Sequence, residues 1–179
     1  MQSTTLSTML QGYFPAAPEE KTFKQTIIRF IEENSNCFER SLEIGHITAS
    51  CWLVNKDNSA ALLTHHAKLN KWFQLGGHCD GNPDVLMVAI KEAQEESGII
   101  TIAPLFKDIF DIDIHLIPAN KNEAAHYHYD IRFLLQVTSD EQISISHESK
   151  ELRWITKDRA ALPADDPSLI RMFNKWIDL

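Results

Sequence analysis

Gly76 to Ile99 reads GGHCDGNPDVLMVAIKEAQEESGI. The glycine pair is expected to turn the chain, with a helix starting at Asn82 and Pro83. Asn82 can cap a free backbone N–H, and Pro83 suits the first helical position, where its missing N–H costs nothing. Gly98 is the expected stop. Leu86, Ala89, Ile90 and Ala93 make an apolar face, centred on the order of 120° round from three acids. Those acids, Glu92, Glu95 and Glu96, stand at i, i+3 and i+4 within roughly a 100° sector. Like charges so spaced weaken a helix, and the C-terminal end of the macrodipole disfavours them further. A divalent cation removes the conflict, because hard ions such as Mg²⁺ and Mn²⁺ prefer carboxylate oxygens.

The surrounding chain sets the frame. Its 179 residues suit one domain with an extension, and 44% hydrophobic content suffices for a core. A formal charge of −8 argues against a general nucleic-acid or anionic-membrane binder. A phosphorylated substrate stays compatible with that charge, since a bound metal reverses the local sign. Cys37, Cys51 and Cys79 lack metal-pair spacing and read as reduced thiols of a cytoplasmic protein. No apolar run has the length of a membrane span, and the N-terminus has no signal-peptide pattern.

Residues 1–40 read as a helical extension. Leu6, Met9, Leu10 and Tyr13 have helical spacing; Pro15 to Pro18 interrupts it; a second helix opens on Pro18, Glu19 and Glu20 and should end near Asn34. Phe23, Ile27, Phe30 and Ile31 form its apolar face, which is either a packing element or a contribution to substrate recognition or to a homodimer. From residue 41 onward the main domain is expected. His46–Val54 and Ala60–His65 form a hairpin about Lys56–Asn58, and Trp72–Leu75 is a short strand. Phe110–Leu116 alternates Ile112, Ile114 and Leu116 with Asp111, Asp113 and His115. His126–Phe133 alternates in the same way, with His126, His128, Asp130 and Arg132 on one face. Antiparallel pairing with His115 opposite His128 and Asp111 opposite Arg132 joins the polar stripes. Such a face is either a solvated surface or a pocket wall for substrate or a second metal. Ile143–Ser146 and Leu152–Ile155 read as further strands. A last helix starts at Asp166 and Pro167, with Leu169, Ile170, Phe173, Trp176 and Ile177 buried. The irregular order of elements favours an α/β/α sandwich over a doubly wound parallel sheet. Walker-type and GxGxxG loops are absent from the sequence.

The central stretch resembles the Nudix box of Nudix hydrolases: Gly, five residues, Glu, seven residues, Arg-Glu, aliphatic, any, Glu-Glu, any, Gly, aliphatic. Gly77, Glu92, Glu95, Glu96, Gly98 and Ile99 match, and Ala93 fills the first aliphatic position. Pro83 replaces the usual first Glu and Lys91 the usual Arg, a pair that often supports the loop in that family. Asp84 can partly substitute. The resemblance covers residues 41–179 and implies a Nudix-type α/β/α sandwich with a mixed β-sheet. It also implies metal-assisted attack of water on a diphosphate linkage, typically in a nucleoside diphosphate joined to a group X. Glu92, Glu96, Glu95 and the Gly77 carbonyl would hold Mg²⁺ or Mn²⁺. Glu92 or Glu95 would be the catalytic base, with Glu148 a further candidate. His78, His126, His128, Asp130 and Arg132 are candidates for contacts to X. Two rivals remain open at this point. One is an isopentenyl-diphosphate isomerase-like enzyme, although its Cys-Gly-His order differs from Gly77-His78-Cys79 here. The other is a non-catalytic Nudix ligand sensor, although no DNA-binding domain is expected.

Overall fold

The computed structural model describes residues 3–121, 123–147 and 149–179. In chain order the elements are α1 (Ser3–Gly12), α2 (Pro18–Glu33), β1 (Gly45–Val54), β2 (Ala60–His66), β3 (Trp72–Phe73), β4 (Leu75–His78) and α3 (Val85–Ser97). Then follow β5 (Ile102–Pro104), β6 (Asp111–Ile117), β7 (His126–Val137), β8 (Ser149–Thr156), a 3-10 turn at Arg159–Ala161 and α4 (Pro167–Ile177).

The centre is a parallel pair. β1 and β7 run side by side from Gly45↔Tyr127 to Val54↔Gln136. The other edge of β1 is divided. β4 takes its first half, Thr48↔His78 through Cys51↔Leu75, and β2 takes its end at Leu53↔Leu62. β7 divides its other edge between β6 and β5. β2 carries β8 and β3 outward. This mixed sheet curls, because a strand that changes partners along its length cannot keep both partners in one flat ladder.

Alternation along β1 assigns the two faces. Ile47, Ala49, Cys51 and Leu53 join one buried cluster with α1, α2 and α3, while Trp52 and Val54 join a second with α4. The α/β/α sandwich is therefore present. The N-terminal helices belong to its first layer. Leu6, Leu10, Ile27 and Ile31 are buried in that core, and Phe30 stacks on Tyr129 with ring centroids 3.9 Å apart. Asn34 ends α2 where expected, its N–H donating to the Phe30 carbonyl at 3.1 Å. The β6–β7 register also matches expectation, with Asp111 opposite Arg132 and His115 opposite His128.

Several local expectations need correction. Gly76 and Gly77 do not turn the chain; they lie inside β4. A Cβ on Gly76 would stand 2.2 Å from the Ser50 Cβ, so a bare backbone is needed for the approach of β4 to β1. The turn comes later, at Asp80 (φ 48) and Gly81 (φ 83). Helix α3 starts at Val85, not at Pro83, because Asp84 is the better cap: its carboxylate accepts the Met87 N–H at 3.1 Å. Asn82 instead accepts from the Asp84 N–H. Gly98 does end the helix, at φ 75. Ile143–Ser146 is not a strand. The Ser144 N–H donates to the Ser97 carbonyl at 2.7 Å, so this segment is bonded to the end of α3 and not to a sheet edge. The buried stripe of α4 is Leu169, Met172, Phe173 and Trp176; Ile170 is half-buried and Ile177 exposed. Sequence reading overlooked β5, which has only three residues.

Candidate active site

The buried residues of α3 are Val85, Val88, Ala89, Ala93 and Ser97; of the expected face, Ala89 and Ala93 are among them, while Leu86 and Ile90 pack against the same core from its margin. Leu86 and Ile90 are half-buried. The inclusion of Val85 and Val88 matters, because Glu92 and Glu96 stand at i+7 from Val85 and Ala89. They continue the buried stripe and do not lie well round from it. Both are half-buried, whereas Glu95 points to solvent and pairs with Lys91 at 3.4 Å. An exposed i,i+4 pair of this kind is worth only about 0.3–0.5 kcal/mol, so Glu95 is readily released for another partner.

Gly77 is the point where strand and helix touch. A Cβ built there would lie 2.4 Å from one Glu92 carboxylate oxygen and 3.1 Å from the other. The carboxylate thus rests against bare backbone, and any side chain at residue 77 would displace it. Two half-buried carboxylates, a third at the rim and an uncovered strand backbone make a donor set of hard oxygens. That set fits a divalent cation such as Mg²⁺ or Mn²⁺.

His78 follows Gly77 on β4. Neighbours on a strand point to opposite faces, so the histidine and the glutamates occupy different sides of the sheet. On the histidine side four rings converge from three strands. His46 on β1 lies beside His128 on β7 in the parallel register, and Thr48, two residues along β1, faces His78. The His46 ring centroid is 5.1 Å from His78, 5.0 Å from His126 and 4.9 Å from His128. His126 and His128 bring their Nε2 atoms to 3.3 Å. Burial lowers the pKa of His78 to about 4 and that of His128 to about 2, with nearby cationic or protonatable groups adding to the effect. His78 and His128 are therefore neutral at pH 7. His46 was not anticipated. Its only local signal is the alternation of His46, Thr48 and Ser50 with the apolar Ile47, Ala49 and Cys51.

Further along the same face, Asp130 accepts from Thr48 Oγ1 at 3.0 Å, Ser50 Oγ at 2.7 Å, Gln74 Nε2 at 3.2 Å and Arg132 Nε at 2.7 Å. Arg132 is buried. It also reaches Asp111 at 3.0 Å and Asp113 at 3.4 Å, and donates to Ser168 Oγ on α4. From α4, Arg171 approaches Asp111 and Asp113 and Lys175 approaches Asp111, and Lys175 continues to the buried Glu20 of α2. Asp130 and Arg132 thus share the stripe with the histidines but spend their polar atoms on the protein. Their adjacency to the cluster places it over a rigid floor.

Other residues take structural places. Cys79 is buried, and burial pushes its thiol well above the ordinary range. Arg40 pairs with Asp80 in the loop after β4. His65 stacks on Trp72, and His66 accepts backbone N–H groups from Lys68 and Leu69. Glu148 lies outside the described residues. Among the described residues no helix is long and apolar enough to cross a membrane.

The fold and the glutamate helix define a class, the α/β/α hydrolases of phosphorus acid anhydrides. The NUDIX domain family model matches residues 45–176, and the chain belongs to the Nudix family. Among solved structures it is similar to a NUDIX family hydrolase from Clostridium perfringens, at 27% identity over 73% of this chain and 95% of that one, TM-score 0.56. It is also similar to a C. elegans Ap4A hydrolase, at 19% identity over 73% and 93%, TM-score 0.58. An E. coli dihydroneopterin triphosphate pyrophosphohydrolase shares 14% identity over 74% and 94%, TM-score 0.56. At such identities the last two likenesses speak for the fold. The match begins near β1, so residues 1–40 lie outside the shared region.

Proposed function

We propose that this protein hydrolyses a diphosphate linkage in a nucleoside diphosphate joined to a second group X, using Mg²⁺ or Mn²⁺. The observation that carries the reading is the apposition of Glu92 to the bare backbone of Gly77, within a chain of the Nudix family. Glu92, Glu96 and the Gly77 carbonyl would hold the cation, with Glu95 completing the set. When bound, the cation supplies neutralisation of phosphate charge and a lowered pKa for water. The protein's own part is positional. Glu95, at the solvent rim, takes the proton of the attacking water; Glu92 is the alternative base. The new bond joins water oxygen to phosphorus as the bridging P–O bond breaks, and the leaving phosphate departs as the anion. His78, His126 and His128, expected as contacts to X, form a wall on the other side of the sheet from the glutamates and are given no role toward X in this reading. Asp130 and Arg132 hold that wall in place through the buried network.

The similar enzymes include an Ap4A hydrolase and a dihydroneopterin triphosphate pyrophosphohydrolase, which makes both chemotypes good starting points for this chain. The test is turnover of a panel of ADP-ribose, dinucleotides, nucleoside triphosphates and non-nucleotide diphosphates, with and without Mg²⁺. Metal-dependent cleavage that Glu96→Gln reduces by at least about 100-fold is expected, the usual scale for loss of a group acting at the transition state. Absence of metal-dependent cleavage across the panel would sink the proposal.

A further inference from the structure

We infer that the histidine face carries a second metal site, for a borderline cation of the Zn²⁺ type, formed by His46, His78 and His128 with His126 in reach as a fourth ligand. One nitrogen from each of the first three lies within 4.8 Å of the others. His46 is 3% exposed, and neither of its ring nitrogens makes a well-formed hydrogen bond among the described residues, a backbone contact with Leu42 falling short of that geometry. Burying polar nitrogens without partners costs free energy, and a cation on the lone pair removes that cost. The ligands are also preformed by the fold. His46 and His128 are register partners, His78 comes from the other neighbour of β1, and His126 is two residues from His128 on the same face.

The fourth ring is chemically prepared. His126 Nδ1 lies 2.9 Å from the Ala124 carbonyl. A carbonyl only accepts, so Nδ1 carries the proton and Nε2 presents its lone pair. That Nε2 is 3.3 Å from Nε2 of His128. Bond lengths of about 2.0–2.1 Å in a tetrahedral zinc–imidazole site give ligand separations of about 3.3 Å, so this pair already has the edge length. His115, next to His128, pairs with Asp113 at 3.1 Å, the carboxylate–histidine arrangement that commonly surrounds metal sites. Neutral imidazoles prefer Zn²⁺, Co²⁺ or Ni²⁺ over Mg²⁺, whereas the glutamates across the sheet prefer the hard ions. The chain would then sort two cations by ligand softness, one on each side of β4. The inference is independent of the hydrolase reading, because it concerns binding on the opposite face.

The test uses the full chain, stripped with chelator and kept in excess Mg²⁺ to saturate the carboxylates. Co²⁺ is titrated by visible absorption and Zn²⁺ by calorimetry. Expected is one equivalent of Co²⁺ with the intense bands of low-coordinate geometry, displaced by Zn²⁺. It should survive in the Glu92→Gln, Glu96→Gln double variant. His46→Gln and His128→Gln should each weaken binding by more than the roughly 10–100-fold that losing an outer-shell partner costs. Circular dichroism checks their folding. If either fails to fold, His78→Asn, at a half-exposed position, carries the same expectation. Binding lost in the glutamate variant but kept in the histidine variants would overturn the inference, as would no Co²⁺ binding at micromolar protein. Both readouts use free enzyme, so a failed substrate panel leaves this result interpretable.

Discussion

Arg132 shows how much a single residue's role depends on its surroundings. As one of four polar residues alternating along a strand, it was a fair candidate for a substrate contact. In the fold its guanidinium is buried among Asp111, Asp113 and Asp130. A buried pair contributes little over an apolar replacement of both partners, but removing one member leaves charge stranded. Arg132→Leu is therefore expected to cost about 3–5 kcal/mol of stability, read from urea denaturation. Any effect on KM should be secondary to that loss. An Arg132→Leu protein of unchanged stability would return the residue to the role of a substrate contact.

At the scale of elements, the decisive contact is between β4 and α3. The two glycines of β4 serve different neighbours. Gly76 faces the backbone and Cβ of Ser50, which cannot move, while Gly77 faces the end of the flexible Glu92 side chain. Gly77→Ala should thus leave the melting temperature within a few degrees of wild type. The glutamate swings aside, and kcat should fall by at least about tenfold, corresponding to roughly 1.4 kcal/mol. Gly76→Ala should destabilise the fold instead, since its Cβ meets rigid neighbours. Thermal melts beside steady-state kinetics separate the two outcomes. This contact was half legible in advance. The spacing of Glu92, Glu95 and Glu96 put a carboxylate edge on this helix. The helix starts later than expected because Asn82, Pro83 and Asp84 all carry start signals: Asn82 accepts the Asp84 N–H, and it is Asp84 that accepts the Met87 N–H in the first helical turn. The glutamates border the buried face because Val85 and Val88 pack on the core as well as Ala89 and Ala93, which extends the stripe round to Glu92 and Glu96.

For the whole molecule, the buried histidines and the aspartate–arginine network make acid stability a two-stage matter. His78 and His128 titrate at about 4 and about 2 in the fold, against an ordinary value near 6.5 when unfolded. Below pH 6.5 the unfolded chain binds protons that the folded chain refuses, so stability falls as pH drops. Above pH 6.5 both states are neutral and this contribution is flat. Against burial, Asp111 is held below the usual carboxylate range by Arg171 and Arg132, and Asp113 by His115, Arg132 and Arg171, so their contribution is lost only at still lower pH, below about 3.8. Denaturation midpoints of metal-free protein should therefore decline between pH 6.5 and 4, ahead of any carboxylate effect. A midpoint that stays level over that interval would contradict the burial of the histidines.

The sequence by itself determined the reaction class and most of the elements. Local spacing decides which side chains share a helix or strand face, and three glutamates with Gly77 and Gly98 are a local pattern. The β6–β7 register was legible for the same reason: two alternating runs joined by a short polar connection have few ways to pair. What tertiary structure alone decided is the company those residues keep. Parallel pairing of β1 with β7 joins positions about eighty residues apart, and no turn or period in the chain encodes it. That pairing brings His46 to His128 and Thr48 and Ser50 to Asp130. It turns one polar strand face into a histidine cluster over an engaged ionic floor. Burial then completes the distinction, because removing water makes His46 a waiting ligand and Arg132 a structural cation, though both are alternating polar residues in the sequence.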